Sequence, residues 1–142
     1  MAKLEKSVTI NTPVGKVFSY ITNPMNQLEY TPGMTEVRDI VGEGVGQRFR
    51  WTYKMMGIPL KGESEVTEYV ANQRYVEKSK GGIDSTWTWT FKPEAQRTLL
   101  NLVIEYTIPI PVLGKIGERL VMRQNEREAD VALAYVKDKL EG

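Results

Sequence analysis

The stretch Trp87-Thr88-Trp89-Thr90-Phe91 restricts the fold more than any other part of this chain. Large rings alternate with threonines at period two. A strand therefore places Trp87, Trp89 and Phe91 on one face and the threonines on the other. A second stretch repeats the pattern, with Phe49, Trp51 and Tyr53 alternating with Arg48, Arg50, Thr52 and Lys54. All three tryptophans then sit on strand faces directed into one interior. So many rings in 142 residues point to a sheet curved around an apolar space.

At 142 residues the length fits one domain, 1–142, able to bury a core without covalent staples. Cysteine is absent, which excludes disulfides and thiolate chemistry. Histidine is absent too, which removes the usual general base near neutral pH and the commonest metal ligand. No cofactor is implied. The net charge of +1, with both signs well mixed, lacks the basic footprint of a nucleic-acid binder. The polar start, Met1 to Lys6, is unlike a signal peptide, and no apolar run approaches the ~20 residues that span a bilayer. The expectation is a soluble cytoplasmic protein without an integral membrane segment.

Residues 3–11 read as a strand. Thr12 offers a helix N-cap and Pro13 suits a first helical position. Val14, Val17, Phe18 and Ile21 follow at helix spacing, and Asn23-Pro24 ends that helix. A second short helix is expected over Met25 to Tyr30, stopped by Thr31-Pro32-Gly33. Six strands are then expected near 34–42, 46–56, 59–69, 73–80, 84–92 and 97–108, separated by short Gly, Pro and Asn breaks that make an antiparallel meander. The break Gly42-Glu43-Gly44-Val45-Gly46 superficially resembles a phosphate loop. It runs into a strand and not a helix, so it reads as a turn.

Ala129, Ala132, Leu133, Val136 and Leu140 form a helical stripe, which extends backwards to Asn125 and Met122. Leu113, Ile116 and Leu120 fall on about the opposite side, so the main helix is expected to begin near Glu118, after a separate apolar segment or bent first turn. The whole is an α+β fold: a curved antiparallel β-sheet of six to seven strands covered on one face by a long C-terminal helix, with two short helices after the first strand.

This order, together with several strings, resembles the START/polyketide-cyclase-like (SRPBCC) superfamily, which includes the birch-pollen-allergen-like plant proteins. The strings are Val8-Thr9-Ile10-Asn11-Thr12-Pro13 with Val17-Phe18, Tyr30-Thr31-Pro32-Gly33 and Gly46-Gln47-Arg48-Phe49, then Glu65-Val66-Thr67-Glu68-Tyr69 and Phe91-Lys92-Pro93-Glu94. The resemblance runs over essentially the whole chain. Two positions depart from it: Tyr30 stands where members often have Trp, and Arg97 where they often have Gly. The resemblance implies a helix-grip fold with a deep apolar pocket between sheet and C-terminal helix. It implies no particular reaction, because members include carriers, cyclases, hydrolase-like enzymes and receptors.

The expected pocket wall comprises Phe49, Trp51, Tyr53, Trp87, Trp89, Phe91, Leu102, Ile104, Tyr106, Met122, Asn125 and Ala129. Buried hydroxyls on Tyr53 and Tyr106, and the amide of Asn125, each need a partner: a ligand, a neighbouring group or water. The apolar run 108–113 reads as a lid or as packing against the short helices. The tip Met55-Met56-Gly57-Ile58 reads as a rim element, a dimer contact or a mobile turn. Arg48, Arg50 and Lys54 are expected on a solvated face, as are Glu118, Arg119, Arg123, Glu126, Arg127 and Glu128. No spacing pairs Glu63, Glu65 or Asp84, so no catalytic residue is assigned. The leading expectation is binding or transport of a small hydrophobic or aromatic ligand (a lipid, an isoprenoid quinone or a polyketide-like ring system) by a monomer or homodimer. The alternative is a cyclase or dehydratase working through Tyr, Asn or carboxylate groups in the same pocket.

Overall fold

Period-two patterning becomes strand throughout the middle of the chain. The computed structural model describes residues 2–55, 57–107 and 110–142, and of 110–118 the backbone alone. The elements are β1 (Ala2–Ile10), α1 (Val14–Ile21), a 3-10 turn (Pro24–Asn26), α2 (Gln27–Tyr30), β2 (Met34–Val41), β3 (Arg48–Met55), β4 (Ile58–Val70), β5 (Arg74–Gly81), β6 (Ser85–Glu94), β7 (Arg97–Tyr106) and α3 (Ile110–Glu141). The strands form one seven-stranded sheet in the order β1-β7-β6-β5-β4-β3-β2, and every pairing is antiparallel.

Strands β2 to β7 are joined neighbour to neighbour, as short turns require. The exception is the first strand, which pairs with the last, Leu4 opposite Ile104 and Val8 opposite Leu100. Because β1 and β2 lie at opposite edges, α1 and α2 must carry the chain across the sheet between them. Register breaks at Val66/Glu68, Met34/Glu36 and Arg38/Val41 mark bulges, the usual device for bending a sheet around its contents.

The core lies on the concave face. Leu100, Leu102, Ile104 and Tyr106 of β7 are all buried, with Asn101, Val103 and Glu105 more exposed between them. α1 buries Val17, Phe18 and Ile21. Phe18 meets Phe91 edge-on at 5.0 Å, and Tyr30 of α2 meets Trp89 edge-on at 5.9 Å. The short helices therefore cover part of the sheet that the sequence reading left to the long helix alone.

Three local expectations are corrected. Thr12 does not cap α1, whose flanking residue is Pro13 without a side-chain cap. Its hydroxyl donates instead to the Leu140 carbonyl at 2.7 Å, tying the start of α1 to the end of α3. The long helix starts at Ile110 rather than near Glu118. Pro111 is compatible with this, since a first-turn N–H has no intrahelical partner to lose. Met55, the last β3 residue before the hairpin turn, is buried in the core, while its partner Ile58 is exposed. Met56, Ile108, Pro109 and the side chains of 110–113 lie outside the described residues, so the rim and lid readings have no further structural counterpart.

Candidate functional site

The cavity lies between the concave sheet and α3. Its space for the centres of water-sized molecules is about 100 Å³, well above the ~10–15 Å³ that one water needs on that measure. The protein's own side chains therefore do not fill it. Strand alternation supplies most of the wall: Trp51 and Tyr53 from β3, Trp87 from β6, and Leu102, Ile104 and Tyr106 from β7. Asn125, Glu128, Ala129 and Ala132 of α3 close it from above.

Eight of the twelve expected wall residues line this space: Trp51, Tyr53, Trp87, Leu102, Ile104, Tyr106, Asn125 and Ala129. Four lie apart from it. Phe49, Trp89 and Phe91 are core residues, the last two packed beneath Tyr30 and Phe18. Met122 is 40% exposed while its neighbour Val121 is buried. The inward seam of α3 runs Val121, Asn125, Glu128, Ala132, in steps of four and three. At about 100° per residue these four share an arc of roughly 60°, and Met122 lies about 60° beyond Asn125, outside it.

One side of the cavity is polar, and the sequence reading missed it. On β5, Tyr75, Glu77 and Ser79 share the concave face, opposite Trp89, Trp87 and Ser85 of β6. Arg74, Lys78 and Lys80 are exposed. Those three basic residues were the available signal, because a strand turning Arg74, Lys78 and Lys80 to water must turn Glu77 inward. The Glu77 carboxylate is buried and well supported. Its Oε1 accepts from the Tyr75 hydroxyl at 2.7 Å and from Gln27 Nε2 at 2.8 Å. Its Oε2 has a single longer contact, 3.1 Å from the same Gln27 nitrogen. Burial pushes the Glu77 carboxyl up to about 7, although both hydrogen bonds pull the other way. The Tyr75 and Tyr30 phenols are pushed up by burial and then by the Glu77 charge, so both stay neutral.

Glu128 is a correction. Expected on a solvated helix face, it lines the cavity and accepts a hydrogen bond from the Tyr53 hydroxyl. The Tyr53 phenol is pushed up by burial and by that contact. Trp51 completes the floor by donating from Nε1 to Ser64 Oγ at 2.9 Å, and Ser64 shares a 2.6 Å bond with Ser79. Its indole lies flat over Gly62, where a Cβ would come within 2.3 Å of the ring. Gly33 gives Tyr53 similar room, at a φ of +86°. Thr31 also lines the cavity, 8% exposed, and its hydroxyl has no hydrogen-bond partner among the described residues. Nor do the described residues hold three or more acidic, His or Cys groups placed to bind a metal ion. No described helix is long and apolar enough to cross a membrane.

A family profile described as polyketide cyclase/dehydrase and lipid transport matches residues 1–141. The chain belongs to that family. Its SRPBCC-type architecture recurs in solved structures. TTHA0849 from Thermus thermophilus is 21% identical with a TM-score of 0.84, over 98% of this chain and 97% of that one. The Zhui aromatase/cyclase from Streptomyces sp. R1128 is 18% identical with a TM-score of 0.80, over 99% and 93%. Ara h 8.0201 is 12% identical with a TM-score of 0.63, over 95% and 97%. At these identities the likeness is one of fold: the curved antiparallel sheet gripping a long C-terminal helix, as the sequence reading expected. Comparison with curated proteins finds no match.

Proposed function

We propose that residues 1–142 form one ligand-binding domain that holds a small hydrophobic or aromatic molecule between sheet and α3. The observation that carries this reading is a cavity with a ring-lined apolar wall and a buried polar side. Trp51, Trp87, Leu102 and Ile104 offer contact to an apolar body. Gln27, Glu77 and Asn125 offer hydrogen bonds to a polar group. Burying ~300 Å² of ligand surface yields roughly 7–8 kcal/mol gross, of which association removes at least ~4. Apolar contact alone therefore binds weakly, and selectivity rests on the polar side. Membership of a family described by cyclase, dehydrase and lipid transport activity fits such a chamber.

The test is tryptophan quenching by a panel of aromatic and lipid probes, with Ala129→Phe as a cavity-filling control. Saturable quenching that Ala129→Phe abolishes, while thermal unfolding stays cooperative, is the expected result. Absence of saturation by every probe overturns the proposal.

A second reading, cyclase- or dehydratase-type proton transfer, is favoured by Glu77. A carboxyl pushed up to about 7 is poised to take and return protons near neutral pH. In that reading Glu77 removes a proton α to a carbonyl, and the neutral Tyr75 and Gln27 hold it in place. Deuterium exchange into a cyclic β-diketone tests this. Acceleration on the order of 10²-fold or more over buffer, lost in Glu77→Gln, is expected of an enzyme. Exchange no faster than in buffer removes the reading.

A further inference from the structure

We infer that the cavity selects a ligand bringing an uncharged or cationic hydrogen-bond donor, a hydroxyl or amine on an aromatic or apolar body, and turns anions away. The inference rests on the ligand-binding reading and adds the ligand's polar chemistry.

Three observations carry it. The cavity wall holds two carboxylates, Glu77 and Glu128, and no Lys or Arg among the described lining residues. An anion entering it meets like charge with no cation to offset it. Three donors at or beside the wall are already committed: Tyr75, beside it, to Glu77, Tyr53 to Glu128 and the Trp51 N–H to Ser64. What Glu77 has left is acceptor capacity on Oε2, which has only the 3.1 Å contact. A ligand hydroxyl or ammonium can give its hydrogen to that oxygen.

Among the described residues, no element packed on Glu77 supplies a compensating charge. Its own strand contributes Tyr75, and α2 contributes Gln27 and Tyr30. Its cross-strand neighbours are Val66 on β4 and Trp87 on β6.

The experiment compares 2-naphthol, 2-naphthylmethylamine, 2-naphthoate and naphthalene by tryptophan quenching and calorimetry at pH 8. These probes share a ring system and differ in the polar group. The naphthol and the amine should bind at least about tenfold tighter than the naphthoate, the scale of one like-charge contact in a partly shielded site. Glu77→Gln should narrow that gap by strengthening naphthoate binding, and so should lowering the wild-type sample to about pH 5.5, where naphthoate stays ionised. Naphthoate binding as tight as naphthol to the wild type at pH 8 overturns the inference and leaves the ligand-binding reading standing. Failure of all four probes, naphthalene included, overturns both.

Discussion

A glycine and a threonine test how closely the cavity wall is built. Gly62 lies opposite Trp51 in the β3–β4 pairing, and a methyl group there would sit 2.3 Å from the indole and 2.6 Å from the Lys80 carbonyl. Neither neighbour is a flexible chain end. Gly62→Ala should therefore destabilise by about 1–3 kcal/mol, the usual range for overpacking. It should also shift tryptophan emission as Trp51 is displaced, both seen in fluorescence-detected urea unfolding. Thr31→Val should do the reverse. Its hydroxyl has no partner among the described residues, so removing it should stabilise the ligand-free protein by about 1 kcal/mol. A lower urea midpoint for Thr31→Val would show instead that the hydroxyl is bonded in solution. Single residues were also where the sequence was least legible. Ring alternation identified Trp51 and Trp87 on the cavity wall, but the same alternation places Trp89 and Phe91 on that face, and only packing separates wall from core. Glu77 was readable from its basic strand neighbours, whereas the Tyr53–Glu128 contact, 75 residues apart in sequence, had no local signature.

Elements were far more legible than contacts, because an element is fixed by a period and its breaks. All seven strands and the two short helical segments occur where alternation and turn residues placed them, with ends shifted by a few residues. What periodicity could not show is which helix covers which strands. α1 covers one end of the sheet through Phe18, which touches both Phe91 and Tyr69 edge-on. Phe18→Ala should therefore cost about 3–5 kcal/mol, as a buried ring does, in a chemical-denaturation experiment. A cost below ~1 kcal/mol would mean that α1 is loosely docked. The C-terminal end of α3 is held by polar ties. Thr12 donates to the Leu140 carbonyl and Lys137 Nζ to the Thr9 carbonyl at 2.8 Å, and Thr98 of β7 anchors Thr12 in turn by donating to its carbonyl. Thr12→Val removes one of these and should lower stability by about 1 kcal/mol. Faster amide exchange confined to the last turn of α3 would locate the loss.

At the scale of the molecule, the sheet closes its first strand against its last and bends over a chamber that keeps one carboxylate away from water. That arrangement has a consequence for folding as well as for ligands. In the unfolded chain Glu77 titrates near the ordinary glutamate value of 4.5, and in the fold it is pushed up to about 7. Between those values the native state holds the proton more often than the unfolded state does, so stability falls as pH rises. Below about pH 4.5 both states are protonated and the group costs nothing. Above about pH 7 the native state must keep an ionised carboxylate buried, and the full penalty applies. A shift of this size corresponds to about 3 kcal/mol. Other acids contribute slopes of their own. Glu141 is lowered by its Lys137 hydrogen bond, the backbone N–H of Asn11 adding to the effect, which works in the opposite direction. The comparison must therefore be differential. Urea unfolding of wild type and Glu77→Gln at pH 4.5 and pH 8 should show the variant gaining on the wild type by about 3 kcal/mol across that interval. A difference that stays constant with pH would place Glu77 in contact with water. A ligand that donates a hydrogen bond to Glu77 should in turn reduce the wild-type slope, because it stabilises the ionised carboxylate that burial disfavours.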